Sequence, residues 1–420
     1  MKIEPVRLQA PSTNTTQDYT FSGFGTPDAC IVIAGLAGSG SDVDEIYQSI
    51  GVYDGTNTRV GSASREHNAA AASVNARSDV DSTNIVHMSN YTTDAQHRTA
   101  TAAFITDGVR LTWSGTTTFQ PWVIVILIGA VTGAVVGELT PSSTLDGTAT
   151  ETGLGITPNL IFNIQNRLNV GDVNAARCAL SFGYAYDNGA TIDNHCLSWQ
   201  HRNLDNDGEL AIDSTRVGVA PWGGATRTGA QEITSMGSGQ FVSTTRDNAT
   251  NPADADMLYL AIETTANITV FSSTVPTTDV AWTPLSGGSF TPEGTIMLAS
   301  RSTTKDADVE NDSSGFFGVY VATESAEYAL GWCNEDTVDP TNCSGRTESQ
   351  FFIQDDAAGT PDFTATSPSF SSGQIQYSAA NAGEATSAWQ VLGIAVAEQV
   401  NSEFGGTGRG VLRGVLRGVG

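Results

Sequence analysis

The stretch "FGTPDACIVIA" (24–34) has two counterparts further along the chain, "GITPNLIFNIQ" (155–165) and "SFTPEGTIMLA" (289–299). Each of them places a Thr-Pro pair just before a run of apolar side chains. Proline has no N–H to donate to a neighbouring strand, and it holds the residue before it extended, so it is favoured where a strand begins. The Thr-Pro pairs lie 131 and 134 residues apart. They predict the first central strand of three similar domains.

Two sets of glycines keep nearly the same spacing and the same order. The first set, found in segments such as "QSIGVYDGTN" (48–57), consists of Gly51, Gly183 and Gly318. The second set, found in segments such as "TDGVRLTW" (106–113), consists of Gly108, Gly239 and Gly373. Repeats of this length are much longer than those of solenoid proteins, so they indicate a string of whole domains.

Each unit ends in a strongly apolar segment, as in "WVIVILIGA" (122–130), "DMLYLAIET" (256–264) and "WQVLGIAVAE" (389–398). These ends and the Thr-Pro starts divide the chain into an arm, three repeats, two linkers and a tail. The predicted boundaries are arm 1–20, repeat 1 21–131, linker 132–152, repeat 2 153–265, linker 266–284, repeat 3 285–399 and tail 400–420.

The predicted fold class is all-β, with three tandem antiparallel β-sandwich domains of jelly-roll type, each of about 110–130 residues. Short β-branched or aromatic segments are separated by glycine-containing turns, and "VRLTW" (109–113) alternates in polarity as a half-buried strand does. The first and last segments of a repeat are apolar on both faces, so we expect them to pair in the middle of a sheet. An immunoglobulin-like topology is the alternative. The Ala-rich segment 67–81 is predicted to be a loop or one short helix.

Charge and composition narrow the range of partners. The formal net charge of −26 disfavours nucleic acid and anionic membranes, because both would repel the chain. The apolar segment 122–137 is too short and too rich in β-branched residues for a membrane-spanning helix. Residues 1–16 lack the apolar core of a secretion signal, which predicts synthesis in a cytoplasm.

The five cysteines are expected to be reduced thiols, with a Cys333–Cys343 disulfide as the alternative.

A search for chemistry identifies no catalytic motif, no phosphate-binding loop and no histidine spacing typical of a metal site. The sequence therefore predicts a chain that is not an enzyme and holds neither a cofactor nor a catalytic metal. Asp205, Asp207 and Glu209 resemble the first half of a calcium loop, although a solvated turn is the simpler interpretation. The acidic segment 305–315 is interpreted in the same way.

A tryptophan side chain can either pack in a hydrophobic core or stack against a bound sugar. Trp199 and Trp332 are predicted to hold equivalent places in repeats 2 and 3, where repeat 1 has Arg65. We interpret both as core residues, with a sugar-binding platform as the alternative.

The segment "GGTGRGVLRGVLRGVG" (405–420) repeats an arginine every four residues with Val-Leu between them. It has too little apolar surface to offset its own ordering entropy. We therefore expect it to bind a partner, and another copy of this acidic chain is the natural one. The predicted product is a homo-oligomer, with a trimer as the expected number. The predicted contact residues are Arg409, Val411, Leu412, Arg413, Val415, Leu416 and Arg417.

Three segments of the first repeat resemble repeats in the virion structural proteins of tailed bacteriophages. They are "TQDYTFSGFGTPDACIVIA" (16–34), "IGVYDGTNTR" (50–59) and "ITDGVRLTW" (105–113). The resemblance implies a non-enzymatic particle component, either a tail-fibre-like or baseplate appendage or a capsid decoration. Its expected location is the virion, and its expected partners are other virion proteins and host-surface glycan. The alternatives are a glycan-active enzyme (depolymerase or esterase) on the same scaffold and a bacterial surface adhesin.

Overall fold

The regular elements of the described part of the chain are all β-strands. They form a large and a small sheet in each of three successive domains. A computed structural model describes residues 1–39, 43–66, 76–90, 96–166, 173–174, 177–202, 208–220, 229–247, 256–310, 315–334, 343–353, 361–381 and 388–397.

Ten strands build the sandwich of each domain, and the short strands β4, β5, β16 and β27 are additional to them. The first domain contains β1 (Lys2–Gln9), β2 (Thr16–Thr20), β3 (Ala29–Gly35), β4 (Gly38–Ser39), β5 (Val43–Asp44), β6 (Ile46–Tyr53), β7 (Thr58–Arg65), β8 (Ala76–Asp81), β9 (Val86–Ser89), β10 (Gln96–Ile105), β11 (Gly108–Gly115) and β12 (Trp122–Gly129).

The second domain contains β13 (Gly133–Leu139), β14 (Thr148–Thr152), β15 (Leu160–Gln165), β16 (Val173–Asn174), β17 (Arg177–Asp187), β18 (Ile192–Arg202), β19 (Gly208–Asp213), β20 (Gly218–Ala220), β21 (Gly229–Gly237), β22 (Gln240–Thr245) and β23 (Met257–Glu263). The third contains β24 (Asn267–Thr274), β25 (Ala281–Leu285), β26 (Gly294–Ser300), β27 (Ala307–Glu310), β28 (Gly315–Thr323), β29 (Glu327–Asn334), β30 (Cys343–Glu348), β31 (Phe351–Ile353), β32 (Phe363–Ser371), β33 (Gln374–Asn381) and β34 (Gln390–Ala397).

The three domains share one strand order, which confirms the predicted tandem β-sandwich repeat. The large sheets run β1-β12-β3-β6-β7-β8, β13-β23-β15-β17-β18-β19 and β24-β34-β26-β28-β29-β30. The small sheets run β2-β11-β10-β9, β14-β22-β21-β20 and β25-β33-β32-β31. The strand after each Thr-Pro pairs with the last strand of its domain at the centre of the large sheet, as expected. The first two strands of each domain pair with its last two, so the chain wraps in the manner of a jelly roll.

The segments predicted as an arm and as linkers contain strands, which corrects that part of the prediction. Residues 1–20 supply β1 and β2, 132–152 supply β13 and β14, and 266–284 supply β24 and most of β25. Strands such as β14, with the sequence "TATET", lie at a sheet edge and are largely exposed, so they carry no apolar run. The predicted loop or helix at 67–81 is also wrong in its described part, because residues 76–81 form β8.

The loop that carries each Thr-Pro pair is hydrogen-bonded to a hairpin turn of the small sheet, at or next to a glycine of the second set. This contact explains why the two features recur together. Each small sheet contains a two-residue hairpin whose second residue has a positive φ, and this residue is Asp107, Gly239 or Gly373. Its N–H donates to the carbonyl of the residue before the Thr-Pro pair, at distances of 2.9, 2.9 and 2.7 Å to Gly25, Ile156 and Phe290 respectively. In the first domain, therefore, Asp107 and not Gly108 matches the turn glycines of the other domains.

Two glycines of the first set, Gly51 and Gly183, are required by a close approach of two backbone segments. A Cβ on Gly51 would overlap the carbonyl oxygen of Ile85, and one on Gly183 would overlap that of Val217. Gly51 pairs with Val32 and Gly183 with Asn163, each six residues beyond the threonine of its Thr-Pro pair. The corresponding pairing in the third domain is that of Met297 with Tyr320, so the predicted equivalence of Gly318 is wrong by two residues.

The large sheets are buried on both faces, which explains their nearly continuous apolar strands. In β12, residues 123–128 are completely buried. Alternate residues such as Val125 face the small sheet of the same domain, whereas Ile124 and Ile126 face a core that all three domains share. The predicted buried strand at 122–130 is thereby confirmed. No helix among the described residues is long and apolar enough to cross a membrane.

We expect Gly51→Ala to destabilise the protein by about 3 kcal/mol, because the new methyl group meets a backbone carbonyl that has no room to move. Gly239→Ala is the matched control, since its Cβ would enter open space and only the positive φ of 71° opposes it. That control should cost about 1–2 kcal/mol. Denaturant unfolding of both variants tests the difference, and equal losses would contradict the proposed steric role of Gly51.

Candidate functional site

The junctions between the domains are the most elaborate feature of the structure. The six strands of each large sheet are extended at one edge by strands that another domain supplies, one in the first two domains and two in the third. Strand β16 of the second domain pairs with β8 of the first, and β27 of the third domain pairs with β19 of the second. Strand β5 of the first domain pairs with β30 of the third, and β4 pairs with the same strand in the parallel direction.

These exchanges close a ring. In every domain the donated strand lies between the strand after Thr-Pro and the next long strand, so the three exchanges are equivalent. The second domain donates to the first, the third to the second, and the first to the third. A head-to-tail contact that closes after three steps normally joins three separate subunits. Here a single chain provides all three, and each donated strand covers a sheet edge that would otherwise be open.

A shared core fills the space between the three large sheets. It includes apolar residues from every domain, for example Ile126, Leu260 and Ile394. Burial of this kind stabilises by about 25 cal/mol per Å² of apolar surface, so this core, together with the exchanged strands, holds the three domains together.

The two tryptophans singled out in the sequence belong to this shared core. Trp199 and Trp332 occupy equivalent register positions, as predicted, and are 4% and 2% exposed. The Nε1–H of Trp199 donates to Gln48 Oε1 at 2.5 Å, and that of Trp332 donates to the carbonyl of Tyr47 at 3.2 Å. Both therefore bind the first domain, and neither lies where a sugar could stack on it. The predicted equivalence of Arg65 is wrong, because Ala63 holds that register position in β7.

Polar side chains add specific contacts at each junction. Between the first two domains, the N–H of Ala179 donates to Ser78 Oγ at 2.8 Å. Between the second and third, Asp306 accepts hydrogen bonds from the backbone N–H and the hydroxyl of Ser214, at 2.6 and 2.9 Å. Between the third and first, Arg7 donates to Thr347 and Ser349, at 3.3 and 3.0 Å.

The cysteines of the third domain do not form a disulfide. Cys333 lies opposite Ser344 and Cys343 lies opposite Asn334, so the two thiols point to opposite faces of the sheet. Cys343 lies in the shared core, where its Sγ contacts the carbonyl oxygens of Arg65 and Glu66. Burial raises the pKa of the Cys343 thiol to about 11, which keeps it protonated and unreactive.

One polar cluster of the first domain consists of His87, Asp81 and Ser89. His87 lies between two side chains in the first domain, with its Nδ1 2.9 Å from Asp81 Oδ2 and its Nε2 3.0 Å from Ser89 Oγ. Burial raises the pKa of the Asp81 carboxyl, but hydrogen bonds from His87, from the Asn84 side chain and from two backbone N–H groups outweigh it and hold the pKa below its usual range. Sequence reasoning missed this cluster because its spacing matches no known motif.

The residues predicted for assembly, Arg409, Val411, Leu412, Arg413, Val415, Leu416 and Arg417, lie outside the described residues. So do Asp205 and Asp207 of the candidate calcium loop, whereas Glu209 lies in β19 and pairs with β27. Among the described residues, no three His, Cys, Asp or Glu side chains come close enough together to hold a metal ion.

Comparison with known proteins adds no family to this picture. No protein-family model matches the chain, and no curated protein matches it. The junctions and the His87 cluster must therefore be interpreted from their own chemistry.

We expect Trp332→Ala to cost about 3–5 kcal/mol and to weaken the coupling between the first and third domains, because Trp332 packs across their junction. The control is Trp282→Ala, which removes an equally buried tryptophan from the third domain's own sandwich core. Calorimetry should show a split transition for the first variant and a single, lowered transition for the second. The reverse pattern would contradict the importance of the shared core.

We also expect stability to depend on His195, which is 6% exposed and has its Nδ1 3.1 Å from the Tyr184 hydroxyl. Burial, followed by the nearby charge of Lys305, lowers the pKa of His195 to about 4. The unfolded chain takes up this proton near pH 6.5, so the contribution of His195 to stability is lost as the pH falls from about 6.5 to 4, with a slope of at most about 1.4 kcal/mol per pH unit. Urea unfolding should show a shallower pH dependence in His195→Gln, and an unchanged one would contradict the assignment.

Proposed function

We propose that this protein is a structural component of a tailed bacteriophage particle, either an appendage of the tail or baseplate or a decoration of the capsid. The observation that carries the proposal is the closed ring of exchanged strands around one shared core. Such a unit resists separation of its domains, which suits a role in bearing load or displaying surfaces. The resemblance of the first repeat to virion proteins supports the same role.

The surface chemistry fits an exposed particle protein. Lysine is nearly absent, with only Lys2 and Lys305, and the chain has a strong acidic excess. A high net charge of one sign keeps proteins soluble when many copies are crowded together. Serine, threonine and asparagine hydroxyls and amides on the outer strands would suit weak contacts with host-surface glycan.

Further assembly is proposed to occur through the tail at 400–420. The ring already provides a threefold arrangement of domains within one chain, so additional copies are not needed to cover the large-sheet edges. Arg409, Arg413 and Arg417 would instead bind acidic side chains of another copy or of another virion protein. Charge attraction of this kind directs association between an acidic body and a basic segment. A homo-oligomer, with a trimer as the expected number, remains part of the proposal.

Both parts of this proposal can be tested with phage particles purified from infected cells in which the protein carries an affinity tag. We expect mass spectrometry to detect the full chain in particles at a fixed copy number, and to detect a chain lacking 405–420 only in the unassembled fraction. Circular dichroism should show the same strand content for both chains, because the described domains end at residue 397.

The two possible failures are distinguishable. Absence of the full chain from particles would overturn the structural role itself. Normal incorporation of the truncated chain would leave that role intact and overturn only the role of the tail. A chain with Arg409, Arg413 and Arg417 all changed to Gln separates the effect of charge from that of length.

A further inference from the structure

The turn between β8 and β9 in the first domain carries a set of polar side chains that the second domain lacks. The two turns can be aligned by register, because Asp81 pairs with Val60 as Asp213 pairs with Cys196. Counting forward by six residues from each aspartate, His87 corresponds to Val219. Counting back by two, Asp79 corresponds to Ala211.

The second domain builds the same turn without a histidine. Asp213 accepts a hydrogen bond from the N–H of Thr215 at 2.7 Å, just as Asp81 accepts one from the N–H of Thr83. Other contacts are shared as well: the N–H of Val219 donates to Ser181 Oγ at 3.2 Å, and that of His87 donates to Ser49 Oγ at 3.0 Å. The aspartate therefore has a structural role that both turns share, whereas the second domain builds the turn with valine in place of His87 and alanine in place of Asp79.

Asp81, which both turns share, forms a relay with the side chains that only the first domain has. Asp81 is fixed by the side chain of Asn84, at 2.7 Å, as well as by the backbone. It orients His87 through Nδ1, so the other ring nitrogen is directed at the hydroxyl of Ser89. A carboxylate, an imidazole and a hydroxyl in this order are the arrangement that converts serine into a nucleophile.

We propose that Ser89, His87 and Asp81 form an acyl-transfer site that hydrolyses carboxylic esters. Ser89 Oγ attacks the ester carbonyl while its proton moves to His87 Nε2, and a tetrahedral intermediate forms. The carbon–oxygen bond to the alcohol then breaks, and the same proton passes to the departing alkoxide. Water repeats the sequence on the acyl-serine, with its proton taken by Nε2, and releases the carboxylic acid and the original hydroxyl. Atoms and charge balance without any further reactant.

A second carboxylate supports the imidazolium that this sequence creates. Asp79 is 2% exposed, and its Oδ2 lies 3.8 Å from His87 Nε2. Opposite charges at this distance attract strongly where water is largely excluded. The charged ring is therefore stabilised from both sides, by Asp81 at Nδ1 and by Asp79 near Nε2.

Burial defines the class of substrate. Ser89 is 2% exposed and His87 is 7% exposed, so the proposal is confined to esters of the smallest acyl groups, such as acetyl, and excludes long-chain esters. Removal of such groups from a sugar would modify a glycan without cutting its backbone, which goes beyond the proposed structural role and does not depend on it. It would also correct the expectation, drawn from the sequence, that the chain has no enzymatic activity.

A fluorophosphonate probe with small substituents on phosphorus tests the site in the full chain, because an activated serine displaces fluoride and retains the phosphonyl group. We expect peptide mass spectrometry to place the label on Ser89 and to find none there in Ser89→Ala. His87→Gln and Asp81→Asn should slow labelling by about 10²-fold or more. Ser114→Ala is the matched control, because Ser114 lies on β11 and its hydroxyl is 2.7 Å from that of Thr99, with no histidine as partner in that hydrogen bond. In this variant Ser89 should be labelled at the normal rate.

Hydrolysis of p-nitrophenyl acetate, with p-nitrophenyl dodecanoate as the long-chain comparison, gives a second readout. We expect turnover of the acetate alone, and its loss in Ser89→Ala. Thermal unfolding of each variant identifies any that fails to fold, and Ser89→Ala, which removes one hydroxyl, keeps the test valid if Asp81→Asn disrupts the turn. Absence of label on Ser89 in the folded chain, or equal labelling in His87→Gln, would overturn the proposal.

Discussion

A sheet that is apolar on both faces and open along one edge is unstable in water, and this constraint accounts for the architecture of the whole chain. The small sheet of each domain covers only one face of the large sheet. The second face is covered by the other two domains, and the open edge is covered by a short strand from one of them. Each domain is thus incomplete in the same two ways, and each supplies what another lacks. A ring of three is the arrangement in which every such need is met within one chain.

Much of the fold could be predicted from the sequence, because its landmarks record steric requirements. Gly51 and Gly183 lie where two backbones nearly touch, and the Thr-Pro pairs lie where a hairpin is bonded to the preceding loop. The Thr-Pro pair is therefore recognisable in all three repeats, whereas the glycine marks the close approach only in the first two, because Tyr320 holds its register position in the third domain. The edge strand β14 leaves no comparable trace, since threonine, alanine and glutamate at an exposed edge satisfy no steric condition.

The junctions and the His87 cluster could not be predicted, for a different reason. Exchanged strands such as β16 are two residues long and pair through backbone groups, which every sequence possesses. The equivalence of Trp199 and Trp332 was evident within the repeats, but their partners Gln48 and Tyr47 belong to another domain. A relay of aspartate, histidine and serine is defined by its geometry in space, and the same geometry occurs with many different spacings along a chain.

The ring also has a consequence for the order of events during synthesis on the ribosome. A domain normally folds once its own residues have emerged, but here the edge of β8 stays open until residues 173–174 appear, and that of β19 until residues 307–310 appear. For strand β5 it is the donated strand that waits for its partner, because β30 lies about three hundred positions later in the chain. The first domain therefore carries an unpaired segment through most of translation. Strand β30 of a nascent chain on a neighbouring ribosome could pair with this β5 first. Pairing within one chain therefore requires its own third domain to emerge before such a capture takes place.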